Sequence, residues 1–214
     1  MGSAVSGSIM IKPDFKRIVA EGYDRIADEY FEQFGRSSVR DTKLAELVVN
    51  CSPGATVLDL GCGAGEPVAR GLLEHGFRVT GVDASLGQIE RARRNFPDAD
   101  FIHADMTSVE LPAGVFDAVC AFYSITHVPR NEHAVLIRRI ATWLRPNGLF
   151  VASFGSSGGD WLGEWLGTRM FFSHHDPEEA IRVVNEAGFR LELVELVEQD
   201  NERVTFLWIT ARKL

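Results

Sequence analysis

The chain has 214 residues, is 45% hydrophobic and carries a formal net charge of −8. That length suits one soluble globular domain with a sizeable core, and the acidic balance argues against a nucleic-acid or anionic-membrane surface as main partner. No apolar run approaches the roughly 20 residues of a membrane span, Met1 to Met10 lacks the basic start and apolar core of a signal peptide, and Cys51, Cys62 and Cys120 show no metal spacing and fit a reducing cytoplasm.

Residues 1–10 are small and polar, which predicts a disordered tail or expression remnant ahead of a single domain over 11–214. Asp14 is placed to cap a helix from Phe15, in which Ile26, Ala27, Tyr30, Phe31 and Phe34 recur at helical spacing. Val39 to Val49 reads as a second amphipathic helix, ended by Asn50 and Ser52-Pro53-Gly54. Val57 to Leu60 is a short apolar run, the signal of a buried strand, and Gly61, Gly63 and Gly65 follow it. Pro67 fits the first turn of a helix running to His75, with Gly76 as its stop.

Phe77 to Asp83 is the second predicted strand, followed by a helix to Asn95 that Asp83, Ser85 or both can cap. Asp100–His103 and Phe116–Phe122 are the third and fourth strands. A helix over Glu132–Leu144, stopped by Arg145-Pro146-Asn147-Gly148, leads to a fifth strand, Leu149–Phe154. Gly155 to His175 mixes permissive glycines with bulky Trp161, Trp165, Met170, Phe171 and Phe172; it reads as a short helix packed on the core or as a substrate wall. Asp176-Pro177 opens a helix to Ala187. Leu191–Val197 and Val204–Ala211 are then two strands whose polar connection makes them antiparallel.

Strand, glycine turn and helix together make a nucleotide-type site at the carboxyl end of a strand in an open α/β sheet. A dinucleotide fingerprint reads G-x-G-x-x-G, and here Glu66 stands where its last glycine belongs. Asp59 and Glu66 flank the turn, and two carboxylates repel a pyrophosphate while suiting a positively charged ligand. Asp83, 20 residues beyond Gly63, is placed to accept from ribose hydroxyls, a spacing that dinucleotide folds share.

Asp59-Leu60-Gly61-Cys62-Gly63-Ala64-Gly65 resembles motif I of the class I S-adenosylmethionine-dependent methyltransferases, and its companions follow in order. They are Asp83, Asp105-Met106, a His127-Val128-Pro129 stretch like that of small-molecule members, and a Leu144-x-Pro146-x-Gly148 turn; Tyr23-Asp24-x-x-Ala27-x-x-Tyr30 resembles a stretch that closes over the cofactor in such members. The resemblance implies an α/β, Rossmann-like, doubly wound sheet of seven strands, mostly parallel with an antiparallel last strand, in the order 3-2-1-4-5-7-6. It implies S-adenosylmethionine as cofactor and S-adenosylhomocysteine as product. Gly61, Cys62 and Gly63 would hold the methionine part, with Asp59 toward its ammonium. Asp83, Ala84 and Gln88 would lie at the ribose and adenosine, Asp105 and Met106 at the adenine, and Phe122 at the end of the fourth strand. It implies a helical cap over 11–50 and a substrate-side insertion over 156–175, with Tyr23, Tyr30, Tyr123, His127, Trp161, Phe171 and His174 facing the acceptor.

His127 and Tyr23 are the candidate catalytic residues, since an imidazole titrates near working pH; the same histidine could instead serve only to shape the loop. No metal is expected: His174 and His175 are adjacent, and adjacent residues seldom converge on one ion. The expected activity is methyl transfer to a small, partly apolar acceptor by a cytoplasmic monomer or homodimer, without membrane or nucleic-acid partner. Two other readings stand beside it. One is a cofactor-binding protein of the same fold that transfers no methyl, and the other is a nicotinamide-dependent oxidoreductase, which the third glycine and the flanking carboxylates disfavour.

Overall fold

Val57, Leu58, Asp59 and Leu60 are all buried, so strand β1 (Thr56–Leu60) needs cover on both faces and neighbours on both edges. It pairs in parallel with β2 (Arg78–Asp83) on one side and β4 (Phe116–Ala121) on the other. β3 (Asp100–His103) extends the sheet in parallel beyond β2, and β5 (Leu144–Gly155) beyond β4. The chain then folds back: β9 (Thr205–Lys213) is antiparallel to β5, and β8 (Phe189–Glu198) is antiparallel to β9. The order is β3-β2-β1-β4-β5-β9-β8. Leaving aside a separate hairpin of β6 (Gly159–Trp165) and β7 (Thr168–His174), this is the expected 3-2-1-4-5-7-6 sheet with its antiparallel last strand. This computed structural model describes residues 13–200 and 202–214, so the tail expected over 1–10 lies outside the described residues.

Side-chain alternation along the strands divides the core in two. Leu58 and Leu60 of β1 pack with Leu136, Ile137 and Ile140 of α5 (Arg130–Trp143) and with Val183 and Val184 of α6 (Pro177–Glu186). Val57, on the opposite face, packs with Leu47 of α2 (Ser38–Val49), Ala69 and Leu72 of α3 (Val68–Glu74), and Ile89 and Ala92 of α4 (Leu86–Asn95). Full burial of side chains such as Leu58 or Ile137 contributes about 1.5–3 kcal/mol each, and these contacts hold the parallel strands β1 to β4 with their carboxyl ends on one edge of the sheet.

α1 (Phe15–Phe34) stands outside this three-layer body, across the carboxyl ends of the strands. Asp14 caps it by accepting from the Arg17 amide, as the sequence predicts. It packs on β7 and α4. Asp24 accepts from Ser85 Oγ and from the Gly87 amide, and Asp28 pairs with Arg91.

Two segments differ from expectation. Gly155–His175 is neither a short helix nor irregular. Trp165 pairs with Thr168 across a two-residue turn in which Leu166 (φ 48°) and Gly167 (φ 69°) are both left-handed, the geometry that matches the twist of a hairpin. Arg145-Pro146-Asn147-Gly148 does end α5, but within a bulge of β5: Leu144 already pairs with Phe116 before Leu149 resumes with Ala118.

Candidate functional site

The turn after β1 is tied to β2, since the amides of Gly61 and Cys62 both donate to the Val82 carbonyl, at 2.7 and 3.2 Å. Gly61 sits at φ 78°, and a Cβ there would run into Ser124 Cβ. Gly63 sits at φ 53°, but a Cβ there would find only Gln88 Oε1, at 4.0 Å. The space beside Gly63 is therefore a cradle that a side chain would fill and that a ligand can enter against bare backbone.

The Gly63 amide donates to Asp83 Oδ2 at 2.9 Å and the Ser85 amide to Oδ1 at 2.8 Å, so Asp83 braces the glycine turn against the β2–α4 turn while Ser85 caps α4. Burial pushes the Asp83 carboxyl up against those two donors. Each oxygen keeps a further lone pair, enough for a pair of vicinal hydroxyls. Asp105, after β3, accepts from the Thr107 amide on Oδ1 (2.8 Å) and from Thr107 Oγ1 (2.8 Å) and Lys16 Nζ (2.9 Å) on Oδ2. Burial raises its carboxyl, but the Thr107 donors and the Lys16 ammonium outweigh that and hold it below its ordinary value. Oδ1 is left able to take one more donor.

Gly61, Gly63, Asp83, Ala84, Gln88, Asp105, Met106 and Phe122 all line one cleft of about 760 Å³, counted with the solvent at its mouth. The cleft is of a size that holds a small-molecule ligand. α1 closes it, with Lys16, Tyr23 and Tyr30 spaced seven residues apart along one helical stripe.

Tyr23, Tyr30, Tyr123 and His127 are also in the wall of an adjoining chamber of about 480 Å³. That chamber is aromatic. The Trp165 ring lies 6.4 Å from Tyr23, 6.0 Å from Tyr30 and 5.6 Å from both Phe34 and Phe172. Its polar wall includes Arg40, Gln199 and Glu202. Tyr123, held at φ 58°, donates from its hydroxyl to Gln199 Oε1 at 2.5 Å. At the junction, His127 is buried between Tyr23 Oη, 2.9 Å from Nε2, and the Phe171 carbonyl, 2.8 Å from Nδ1. Burial holds the imidazole down to about 4 and pushes the Tyr23 phenol well above its ordinary value.

Six residues that the sequence places at the site stand elsewhere. Asp59 is 2% exposed and points into the α2–α4 side of the core, where Cys120 Sγ lies 3.5 Å from Oδ1 and Oδ2 has no partner; burial pushes its carboxyl up to about 7. It does not line the cleft. Cys62 is buried as well, its thiol pushed well up by burial. Glu66 is engaged by Arg70, whose Nε donates to Oε2 at 2.8 Å. The charge argument built on Asp59 and Glu66 is thereby corrected: the carboxylates that face the cleft are Asp83 and Asp105. Trp161, Phe171 and His174 line neither chamber. Trp161 is 45% exposed, Phe171 stacks on Phe15 with ring centroids 4.0 Å apart, and His174 lies against Gly155.

Sequence reasoning missed Lys16, Arg40, Gln199 and Glu202. Lys16 shares a stripe with Tyr23, a signal that was present; the other three come from distant segments and carry none. Among the described residues no three His, Cys, Asp or Glu side chains are grouped to hold a metal ion, and no helix is long and apolar enough to cross a membrane.

Comparison with known proteins bears on this geometry. Residues 57–148 match the family described as a methyltransferase domain. The chain is 32% identical over 161 residues to 27-O-demethylrifamycin SV methyltransferase of Amycolatopsis mediterranei, covering 65% of this chain and 58% of that protein. It spans about half the length of the curated relatives it matches. Among solved structures, magnesium protoporphyrin IX methyltransferase of Synechocystis with bound S-adenosylmethionine superposes with a TM-score of 0.75 at 18% identity, over 94% of this chain and 98% of that one. The cyclase SpnF superposes with a TM-score of 0.69 at 20% identity, over 91% and 94%. At these identities the two structures speak to the fold alone. In its matched segment, its glycine turn and its strand order, the chain is similar to the class I S-adenosylmethionine-dependent methyltransferases.

Proposed function

We propose that this protein transfers a methyl group from S-adenosylmethionine to a small, partly apolar organic acceptor. One observation carries the reading: a cleft floored by Gly61 and Gly63 and edged by Asp83 and Asp105 opens, past Tyr23 and His127, into an aromatic chamber. S-adenosylmethionine supplies an electrophilic methyl on a sulfonium. The protein's part is placement. Gly63 admits the methionine portion, Asp83 accepts from the ribose, Asp105 accepts from the adenine amino group, and Met106 and Phe122 give it apolar surface. Tyr30, Tyr123 and Trp165 support the acceptor from the chamber side. Holding the acceptor atom in line contributes several kcal/mol, up to about 7–11 in favourable cases.

On this reading α1 is the cap within residues 11–50, and the β6–β7 hairpin, within 156–175, is a wall of the acceptor chamber. The free cysteines are consistent with a reducing cytoplasm, and the charge of −8 is consistent with a small-molecule partner in place of nucleic acid. A second reading, the same pocket serving another reaction, is favoured by the fold shared with a cyclase. Incubating the protein with methyl-labelled S-adenosylmethionine and panels of small aromatic and aliphatic acceptors separates the two. Label in an organic product supports transfer, whereas tight cofactor binding with no label transferred to any panel supports the second reading.

A further inference from the structure

His127 is fixed from both sides. The Phe171 carbonyl, in β7, can only accept, so the Nδ1 atom 2.8 Å away carries the imidazole hydrogen. Nε2 is then left with a lone pair, and Tyr23 Oη, 2.9 Å from it, must donate. The phenol's one hydrogen is thus committed to His127, and toward both chambers Tyr23 presents only oxygen lone pairs. The rings reinforce the arrangement: Tyr23 stands edge-on to His127 with centroids 5.3 Å apart, and edge-on to Tyr30 at the same distance.

We propose that Tyr23 is the protein group that meets the methyl acceptor, with His127 acting behind it, so that the site takes a nucleophile carrying its own hydrogen: a hydroxyl or amine on a flat, largely apolar ring. The hydrogen follows from the lone pairs on Tyr23, which give a thioether, a tertiary amine or an alkene nothing to bind. The flat ring follows from the chamber wall, where Trp165 is stacked on Phe34 at 21° and Phe172 stands edge-on to Trp165. In the step, the acceptor atom uses a lone pair for its new bond to the methyl carbon, and the electron pair of the broken S–CH3 bond stays on sulfur. The acceptor's proton passes to Tyr23 Oη as the Tyr23 proton passes to His127 Nε2. One positive charge leaves the sulfonium and one arrives on the imidazole, so the buried site holds the same net charge before and after. Burial makes that imidazolium acidic, which returns the proton to water once the product has left.

The acceptor class rests on the methyl-transfer reading above; the relay itself rests on this chain's geometry, and the test keeps the two apart. Long-range proton–nitrogen NMR of the histidines, assigned with His127→Asn, reports the tautomer without turnover. The expected spectrum has a protonated Nδ1 and an unprotonated Nε2 for His127, and Tyr23→Phe shifts the Nε2 signal while Nδ1 stays. A protonated Nε2, or an Nε2 signal indifferent to Tyr23→Phe, overturns the relay. Phenol and anisole, added in turn to the S-adenosylhomocysteine-saturated protein, test the acceptor class: phenol should move the His127 Nε2 signal and anisole should not. Equal effects, or none from phenol, overturn that part. Calorimetry with S-adenosylhomocysteine alone runs beside it. If that ligand fails to bind while the tautomer is as expected, the methyl-transfer reading falls and the relay does not.

Discussion

Replacing Gly63 by alanine adds one methyl group at φ 53°, where among the described residues the neighbour within reach is Gln88 Oε1 at 4.0 Å. The left-handed backbone costs a non-glycine residue about 1–2 kcal/mol, and no clash adds to it. Gly76 supplies a control: its φ is 76°, a Cβ there meets nothing within 4 Å, and it lies at the end of α3 away from the cleft. Gly63→Ala and Gly76→Ala should therefore lose similar stability, about 2–4 °C of thermal midpoint per kcal/mol for a chain of this size. Their cofactor affinities should part company. The new methyl at Gly63 occupies the cradle, so S-adenosylhomocysteine affinity should fall at least tenfold, about 1.4 kcal/mol, and stay unchanged in Gly76→Ala. Calorimetric titration and thermal unfolding of the two variants read both effects. If Gly63→Ala binds as tightly as Gly76→Ala, the glycine turn is not the cofactor floor.

Other perturbations separate the parts of the site. Asp83→Ala removes the proposed ribose acceptor and strands the Gly63 and Ser85 amides; S-adenosylhomocysteine affinity should drop at least tenfold, with Asp83→Asn intermediate because its amide oxygen still accepts, and equal affinity in all three proteins contradicts the assignment. Trp165 lines the aromatic chamber but not the cleft, so on the proposed assignment Trp165→Ala should raise KM for an acceptor found by screening while S-adenosylhomocysteine affinity holds; a matching loss of both argues against two chambers. Asp59 tests the buried carboxyl. Its folded value, about 7, lies above the unfolded one, so ionising it destabilises the fold increasingly as pH rises through that interval, and Asp59→Asn escapes the penalty. The stability of Asp59→Asn relative to the native chain in urea should rise by about 2.5 kcal/mol between pH 5 and pH 8, and a pH-independent difference would show that the carboxyl is not desolvated.

The sheet was legible because its strands are short apolar runs punctuated by glycine and proline, and because Gly61, Asp83, Asp105 and His127 each leave the carboxyl end of a successive strand. Asp59 was misplaced for a reason of period. Side chains alternate along β1, so a residue two positions from the turn shares the face of Val57 and the buried Cys120, whatever its charge. The hairpin escaped because its turn uses Leu166-Gly167, without the asparagine or aspartate that usually marks two left-handed positions. Its pairing decides which aromatics matter: Phe172 and Phe171 point to opposite faces, while Trp161, on the face of Trp165 and opposite Phe172, lies too far along the strand to line the chamber and is 45% exposed, and a reading by composition could not choose among them. Arg40, Gln199 and Glu202 reach the chamber from α2 and the β8–β9 connection, a juxtaposition that only the sheet order creates.

The central claim, that the cleft under α1 is a site for S-adenosylmethionine, is tested most directly by titrating the purified chain with S-adenosylhomocysteine in a calorimeter, with NADH run under the same conditions. The account predicts saturable one-site binding of S-adenosylhomocysteine, weakened by Asp83→Ala, and no binding of NADH. Binding of NADH with none of S-adenosylhomocysteine would contradict it before any acceptor is tried.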